Sequence, residues 1–194
     1  MAAQPAVVAV LDACVLYPPS LRDFLLWLAA GFVYDLRLTD AIHDEWVRNA
    51  LENHPHLTAG RLARTRALMN ALSPETLVTG YEGRIDGLRL PDPDDRHVLA
   101  AAIHAGASVV VTFNLRDFPE TALAAFGIAA CHPDAFVVGL LDRPGTGSQV
   151  VEMTRRARLN LKNPPKTPAE YLEMLDRNRM PKTAARLAKH VADL

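Results

Sequence analysis

The sequence predicts an α/β fold on a mainly parallel sheet, and three observations carry that expectation. The stretches "VVAVL" and "SVVVTF" are short, continuous apolar runs, the pattern of strands buried on both faces. Segments with apolar residues at helical spacing alternate with such runs along the chain. Polar side chains follow the runs at once: Asp12 after the first, Asn114 and Asp117 after the second. Sites in parallel sheets form outside the carboxyl ends of the strands, so these positions are where chemistry is expected.

The elements are predicted in order as follows. The N-terminal "MAAQPAVVAVLDACV" has no basic segment ahead of its apolar run and reads as a strand, not a signal peptide. "SLRDFLLWLAAGF" is a helix, with Ser20 as N-cap and Gly31 as its stop. "DLRLTD" is a second strand. "DAIHDEWVRNALENH" is a helix from about Asp40 to just before Pro55, and "TAGRLARTRALMNALS" is another, with Arg61, Arg64 and Arg66 on its polar side. "ETLVTGY" reads as a short strand and "EGRIDGLRLPD" as loop. A helix headed by aspartates follows, then the strand "SVVVTF", a turn at "NLRDFP", a helix "ETALAAFG", a strand "IAACHP" and a helix "DAFVVGLLDR". "RPGTGSQ" (143–149) reads as a linker, and residues 150–160 and 168–192 as helices. The predicted organisation is a domain over 1–142, a linker over 143–149 and a basic helical extension over 150–194.

The 194 residues, 49% hydrophobic and 22% charged, suit one medium domain with an appendage. No apolar run reaches the roughly 18 residues of a membrane span. Cys14 and Cys131 sit in or beside apolar runs, which suggests free thiols in a reducing cytoplasm. The net charge of −1 hides an asymmetry: residues 1–150 carry −6 and contain no lysine, and residues 151–194 carry +5. Such a tail suits a polyanion or an acidic partner, or a solvated helix.

The aspartates of "LRLPDPDDRHVLAAAIHAG" ask for an explanation. Asp92 with Pro93 is a sound helix start, and acids in a first turn favour the helix dipole. At about 100° per residue, however, Asp95 lies near the centre of the stripe formed by Val98, Leu99, Ala102 and Ile103, with Asp92 to the same side and Asp94 turned away. A carboxylate on an apolar side is costly unless a cation meets it. Asp12, Asp95, the strand-end pair Asn114 and Asp117, and Glu45 at the edge of the stripe Ile42, Trp46, Ala50 come from four segments and can converge. Each alone is explained as a turn, cap or solvated acid. Together they read as an oxygen-ligand site for Mg²⁺ or Mn²⁺, not Zn²⁺. The body has no lysine for a receiver or dehalogenase-type site, no G-x-x-x-x-G-K-[ST] or G-x-G-x-x-G loop, and no H-E-x-x-H.

"VVAVLDACVLYP", "DAIHDEW", "LPDPDDRHVLAAAIHAGASVVVTFNLRDFP" and "HPDAFV" together resemble the PIN domain, in the branch of VapC-type toxins of bacterial toxin–antitoxin pairs, over roughly residues 5–142. The resemblance implies a three-layer α/β/α fold and a metal-dependent endoribonuclease of a type II system. It implies Asp12, Glu45 and Asp95 as the first three acids and puts the fourth at Asn114, with Asp117 serving or assisting. Thr112 matches the family's polar residue at the strand end, and Asp92 is an extra acid of this branch. The implied partners are RNA, transfer RNA among the candidates, a cognate antitoxin and a second copy of the chain; no membrane is implied. Arg96 and Arg116 are the nearest arginines by sequence, either phosphate contacts or ion-pair partners of neighbouring acids. Two rival readings are a silent PIN-fold binding module and a metal-dependent DNA nuclease or phosphatase.

Overall fold

The computed structural model describes residues 7–194. Contacts divide the chain into two compact units: residues up to Tyr17 with Tyr34–Cys131, and Pro18–Val33 with His132–Leu194. Among the described residues no helix is long and apolar enough to cross a membrane.

The first unit holds a four-stranded, all-parallel sheet in the order β2-β1-β3-β4. Its strands are β1 (Val8–Leu11), β2 (Asp35–Arg37), β3 (Val109–Val111) and β4 (Ala129–Cys131). The expected strands buried on both faces are present: Ala9, Val10 and Leu11 are buried, as are all three residues of β3. Leu11 pairs with Val111, so the carboxyl ends of β1 and β3 finish side by side. From β1 the chain steps to β2 on one side and later to β3 on the other. The β1–β3 boundary is therefore the switch point at which parallel sheets bind ligands.

Helices α1 (Ala13–Leu16), α3 (Asp40–Asn53), α4 (Ala59–Asn70), α5 (Arg96–His104) and α6 (Glu120–Leu123) complete this unit. Thr39 starts α3 by accepting a bond from the Ile42 amide at 3.1 Å. On its buried side the Trp46 indole donates to His43 Nδ1 at 3.0 Å, so the imidazole carries its proton on Nε2 and gives it to Asn70 Oδ1 of α4 at 2.8 Å. The predicted strand "ETLVTGY" is not a strand. It forms one isolated bridge, Leu77 to Leu38, and Gly80 at φ +78° then turns the chain away. "EGRIDG" is a 3₁₀ turn, not open loop.

The second unit is helical: α2 (Pro19–Ala30), α7 (Pro133–Asp142), α8 (Gly147–Asn160), α9 (Pro168–Arg177) and α10 (Pro181–Leu187). Helix α2 packs on α8 and α9, α7 on α8 and α10, and α10 on α9. Leu21, Phe24, Leu25, Leu28, Val137, Leu140, Val150, Tyr171 and Leu175 fill its interior. Helix α2 starts at Pro19 with Pro18 as its N-cap, two residues ahead of the expected Ser20 cap, because proline suits a first helical position. Helix α8 begins at Gly147, inside the stretch read as a linker. A Cβ there would lie 2.7 Å from the Leu141 carbonyl oxygen, and Thr146 Oγ1 donates to the carbonyls of Leu140 and Arg143. The segment is a tight corner that needs its glycine. The helix predicted over 168–192 is broken after Arg177, where Arg179 adopts φ +64° and Pro181 opens a new helix.

Candidate active site

The site is built where β1 and β3 end. The Asp12 amide donates to the Val111 carbonyl at 3.0 Å, which extends the β1–β3 pairing by one residue and sets Asp12 beside Thr112. Asp12 is only 3% exposed. Its Oδ2 accepts a bond from Thr112 Oγ1 at 2.6 Å and one from Cys14 Sγ at 3.0 Å. Burial and then the adjacent Asp12 charge push the Cys14 thiol up to about 12, so it remains a neutral donor at ordinary pH.

Asp95 arrives on α5, and the local structure separates it from capping. Asp92 Oδ1 accepts the Asp94 amide at 2.9 Å and caps a 3₁₀ turn over Pro93–Asp95. Asp95 stands at the start of α5 and makes no side-chain cap bond. The capping duty suggested by the sequence therefore falls to Asp92, while the Asp95 carboxyl is half-buried and held by no cap. Its pKa is pushed up to about 7 by burial first, then by the charges of Asp12, Asp92, Asp117 and Glu45. Five acids from four segments are thus within electrostatic reach of one another. Asp94 is exposed, as its phase predicted.

The remaining candidates divide. Glu45 lies on α3, with its Oε2 3.7 Å from His97 Nε2. Asp117 is largely buried in a 3₁₀ turn after β3 and is one of the acids acting on Asp95. Asn114 is exposed; its backbone amide donates to Thr112 Oγ1 at 2.9 Å. Arg96 Nε donates to the Pro93 carbonyl at 2.8 Å within its own turn, and the Arg116 side chain is 90% exposed, 3.5 Å from Asp117. Among the described residues no three His, Cys, Asp or Glu side chains already enclose a single point as a preformed metal cage.

Sequence reasoning missed two neighbours of the acids. Cys14 and His97 each stand two residues beyond a candidate acid, on the first turn of the helix that follows it. That shared offset was the available signal. His97 Nδ1 is buried without a hydrogen-bond partner among the described residues.

A four-stranded parallel sheet flanked by helices, followed by further helices, is consistent with the PIN-like class of architecture. Comparison with known proteins narrows this. Residues 133–189 match the family model described as VapC50 C-terminal domain. The chain is also 40% identical over 96 residues to the Mycobacterium tuberculosis protein named "Putative ribonuclease VapC50", a match covering 47% of this chain and 53% of the relative. The chain thus spans about half the length of the curated relative it matches. No solved structure matches. The two matches bear out the VapC-type resemblance read from the sequence.

Proposed function

We propose that the chain is a metal-dependent endoribonuclease, the toxin of a type II toxin–antitoxin pair, with Mg²⁺ or Mn²⁺ as cofactor. The observation that carries this is the convergence of Asp12, Glu45, Asp92 and Asp117 on Asp95, beside the ends of β1 and β3. The relative named as a ribonuclease supports RNA as the substrate, and its VapC name supports an antitoxin partner.

The residues fit a hard divalent cation. All the donors are carboxylate oxygens, and the burial and four like charges that push the Asp95 pKa up to about 7 mark a place where positive charge is wanted. Asp12, Glu45 and Asp95 would hold the ion. Asp117, not the exposed Asn114, is the fourth acid, and Asp92 adds charge at the rim. A divalent cation there supplies polarisation of a phosphodiester and a lowered pKa for water. Thr112 holds Asp12 by hydrogen bond and so acts through that carboxylate, not on the substrate. Arg116, its side chain 90% exposed and 3.5 Å from Asp117, is the candidate arginine for a phosphate; Arg96 has its Nε turned back onto the Pro93 carbonyl.

The test is cleavage of RNA, transfer RNA included, by the purified full chain with Mg²⁺ or Mn²⁺, in EDTA, and with Asp12→Asn. Cleavage with either metal, lost in EDTA and in the variant, supports the proposal. Undiminished cleavage in EDTA refutes it. Ca²⁺, larger and tolerant of looser geometry, should support little or no cleavage.

A further inference from the structure

Asp12 is gripped by one oxygen only. Thr112 Oγ1 and Cys14 Sγ both donate to Oδ2, at 2.6 and 3.0 Å, and among the described residues no hydrogen bond reaches Oδ1. The two donors come from different segments. Cys14 stands on the first turn of α1, and Thr112 is the residue after β3. Each donor is itself held in place. The Phe113 amide donates to Cys14 Sγ at 3.3 Å, and the Asn114 amide donates to Thr112 Oγ1 at 2.9 Å. A backbone N–H takes an acceptor site on each, and the thiol and the hydroxyl, themselves 3.5 Å apart, both present their hydrogens to the carboxylate. The register that puts Leu11 opposite Val111 brings both into reach.

We infer that Cys14 is a positioning residue: with Thr112 it clamps Asp12 Oδ2 and leaves Oδ1 as the oxygen offered to the cation, an inference that rests on the metal reading above. A neutral donor suits this place. It fixes the carboxylate without adding charge to a crowded group of acids, and it leaves the anion's second oxygen undiminished as a ligand. Groups that orient metal ligands in this way typically change metal affinity by about 10- to 100-fold when removed. A thiol is a weak donor, so the lower end applies here.

The experiment is a calorimetric titration of Mn²⁺ into the full chain. Cys14→Ala is expected to weaken Mn²⁺ binding by about ten-fold, and Cys14→Ser, which keeps a donor, to restore it. A second reading needs no metal. In chelated protein the infrared S–H band of Cys14, isolated as the difference between wild type and Cys14→Ser, is expected at the lowered frequency of a hydrogen-bonded thiol. It should move toward the free-thiol position in Asp12→Ala, where Thr112 Oγ1 at 3.5 Å is the acceptor left within reach. Equal Mn²⁺ affinity in wild type and Cys14→Ala overturns the inference alone, as does a Cys14→Ser variant as weak as Cys14→Ala, or a free-thiol band in the wild type. A wild-type chain that binds no Mn²⁺ overturns the metal reading and the inference with it.

Discussion

At the residue scale, Asp95 is where the fold works against itself. Its carboxyl has no cap to make, is half-buried, and faces four other acids. Its pKa rises from an ordinary 3.8 to about 7, so between those values the folded chain holds a proton that the unfolded chain has released. Stability falls with pH wherever the folded state binds more protons. The contribution of Asp95 to apo stability is therefore complete below about pH 3.8 and is lost as pH rises through about 7. Asp95→Asn should remove that loss: in chelator, denaturant unfolding at about pH 8 should show the variant more stable than wild type, with the gap closing near pH 4. A variant less stable than wild type at the higher pH would contradict the crowding. In the same variant, and in Asp12→Asn, RNA cleavage should fall by at least about 100-fold, since each change removes a proposed ligand and not merely a group supporting one. Circular dichroism should show the fold intact. Asp117→Ala should weaken Mn²⁺ binding and Asn114→Ala should not. The opposite result would return the fourth position to Asn114.

At the scale of elements, one carboxylate does more than its sequence suggested. Asp134, buried in the first turn of α7, accepts the Thr183 amide at 2.7 Å and the Lys182 amide at 3.0 Å. Thr183 Oγ1 returns a bond to the Asp134 carbonyl at 3.2 Å. One helix start thus caps another 49 residues along the chain, satisfying amides that α10 leaves unpaired. Asp134→Ala should destabilise the full chain by about 1–3 kcal/mol, the cost of stranding buried donors. Asp134→Asn, which keeps one acceptor, should cost less; urea denaturation measures both. The "HPDAFV" stretch was legible as part of a family pattern, but the partner of its aspartate was not, because no sequence period links α7 to α10. The same limit explains the other differences. β1 and β3 announced themselves because strands buried on both faces are apolar at every position. "ETLVTGY" looked like a strand by composition, yet its pairing depended on an edge that offers one bridge. Asp12, Asp95 and Asp117 were legible because each follows a strand or heads a helix, and Glu45 because it edges the apolar stripe of α3. Cys14 was not, because its role depends on Thr112, 98 residues away.

At the scale of the whole molecule, charge divides with the two units. The first holds nine arginines against 14 acids, for −5; the second holds 12 basic residues against eight acids, for +4. Cleavage of RNA at an acidic site, as proposed, needs positive surface elsewhere, since binding to phosphates supplies much of the affinity. Not all of the basic side chains are available for this. Arg155 and Arg156 pair with Glu152, Arg177 with Glu173, and Arg186 with Asp142. Arg158 donates to the carbonyls of Leu194 and Lys166, and so holds the end of the chain. Lys162, Lys182 and Lys189 are exposed and form no ion pair within 4 Å among the described residues. Deleting the extension after Asp142 would be a poor test of RNA binding. It would strip α8, α9 and α10 from α2 and α7 and expose Phe24, Leu28, Val137 and Leu140 to water. Replacing Lys162, Lys182 and Lys189 together by Gln leaves that core untouched. We expect the triple variant to melt like wild type and to keep its Mn²⁺ affinity. Its RNA affinity should fall, and the slope of log affinity against log salt should flatten by about 0.7 for each phosphate that a lysine no longer neutralises on a single strand. Fluorescence anisotropy over a salt series reads both quantities. An unchanged slope would mean that these lysines serve an acidic protein partner or solvent, and that RNA is held by other residues.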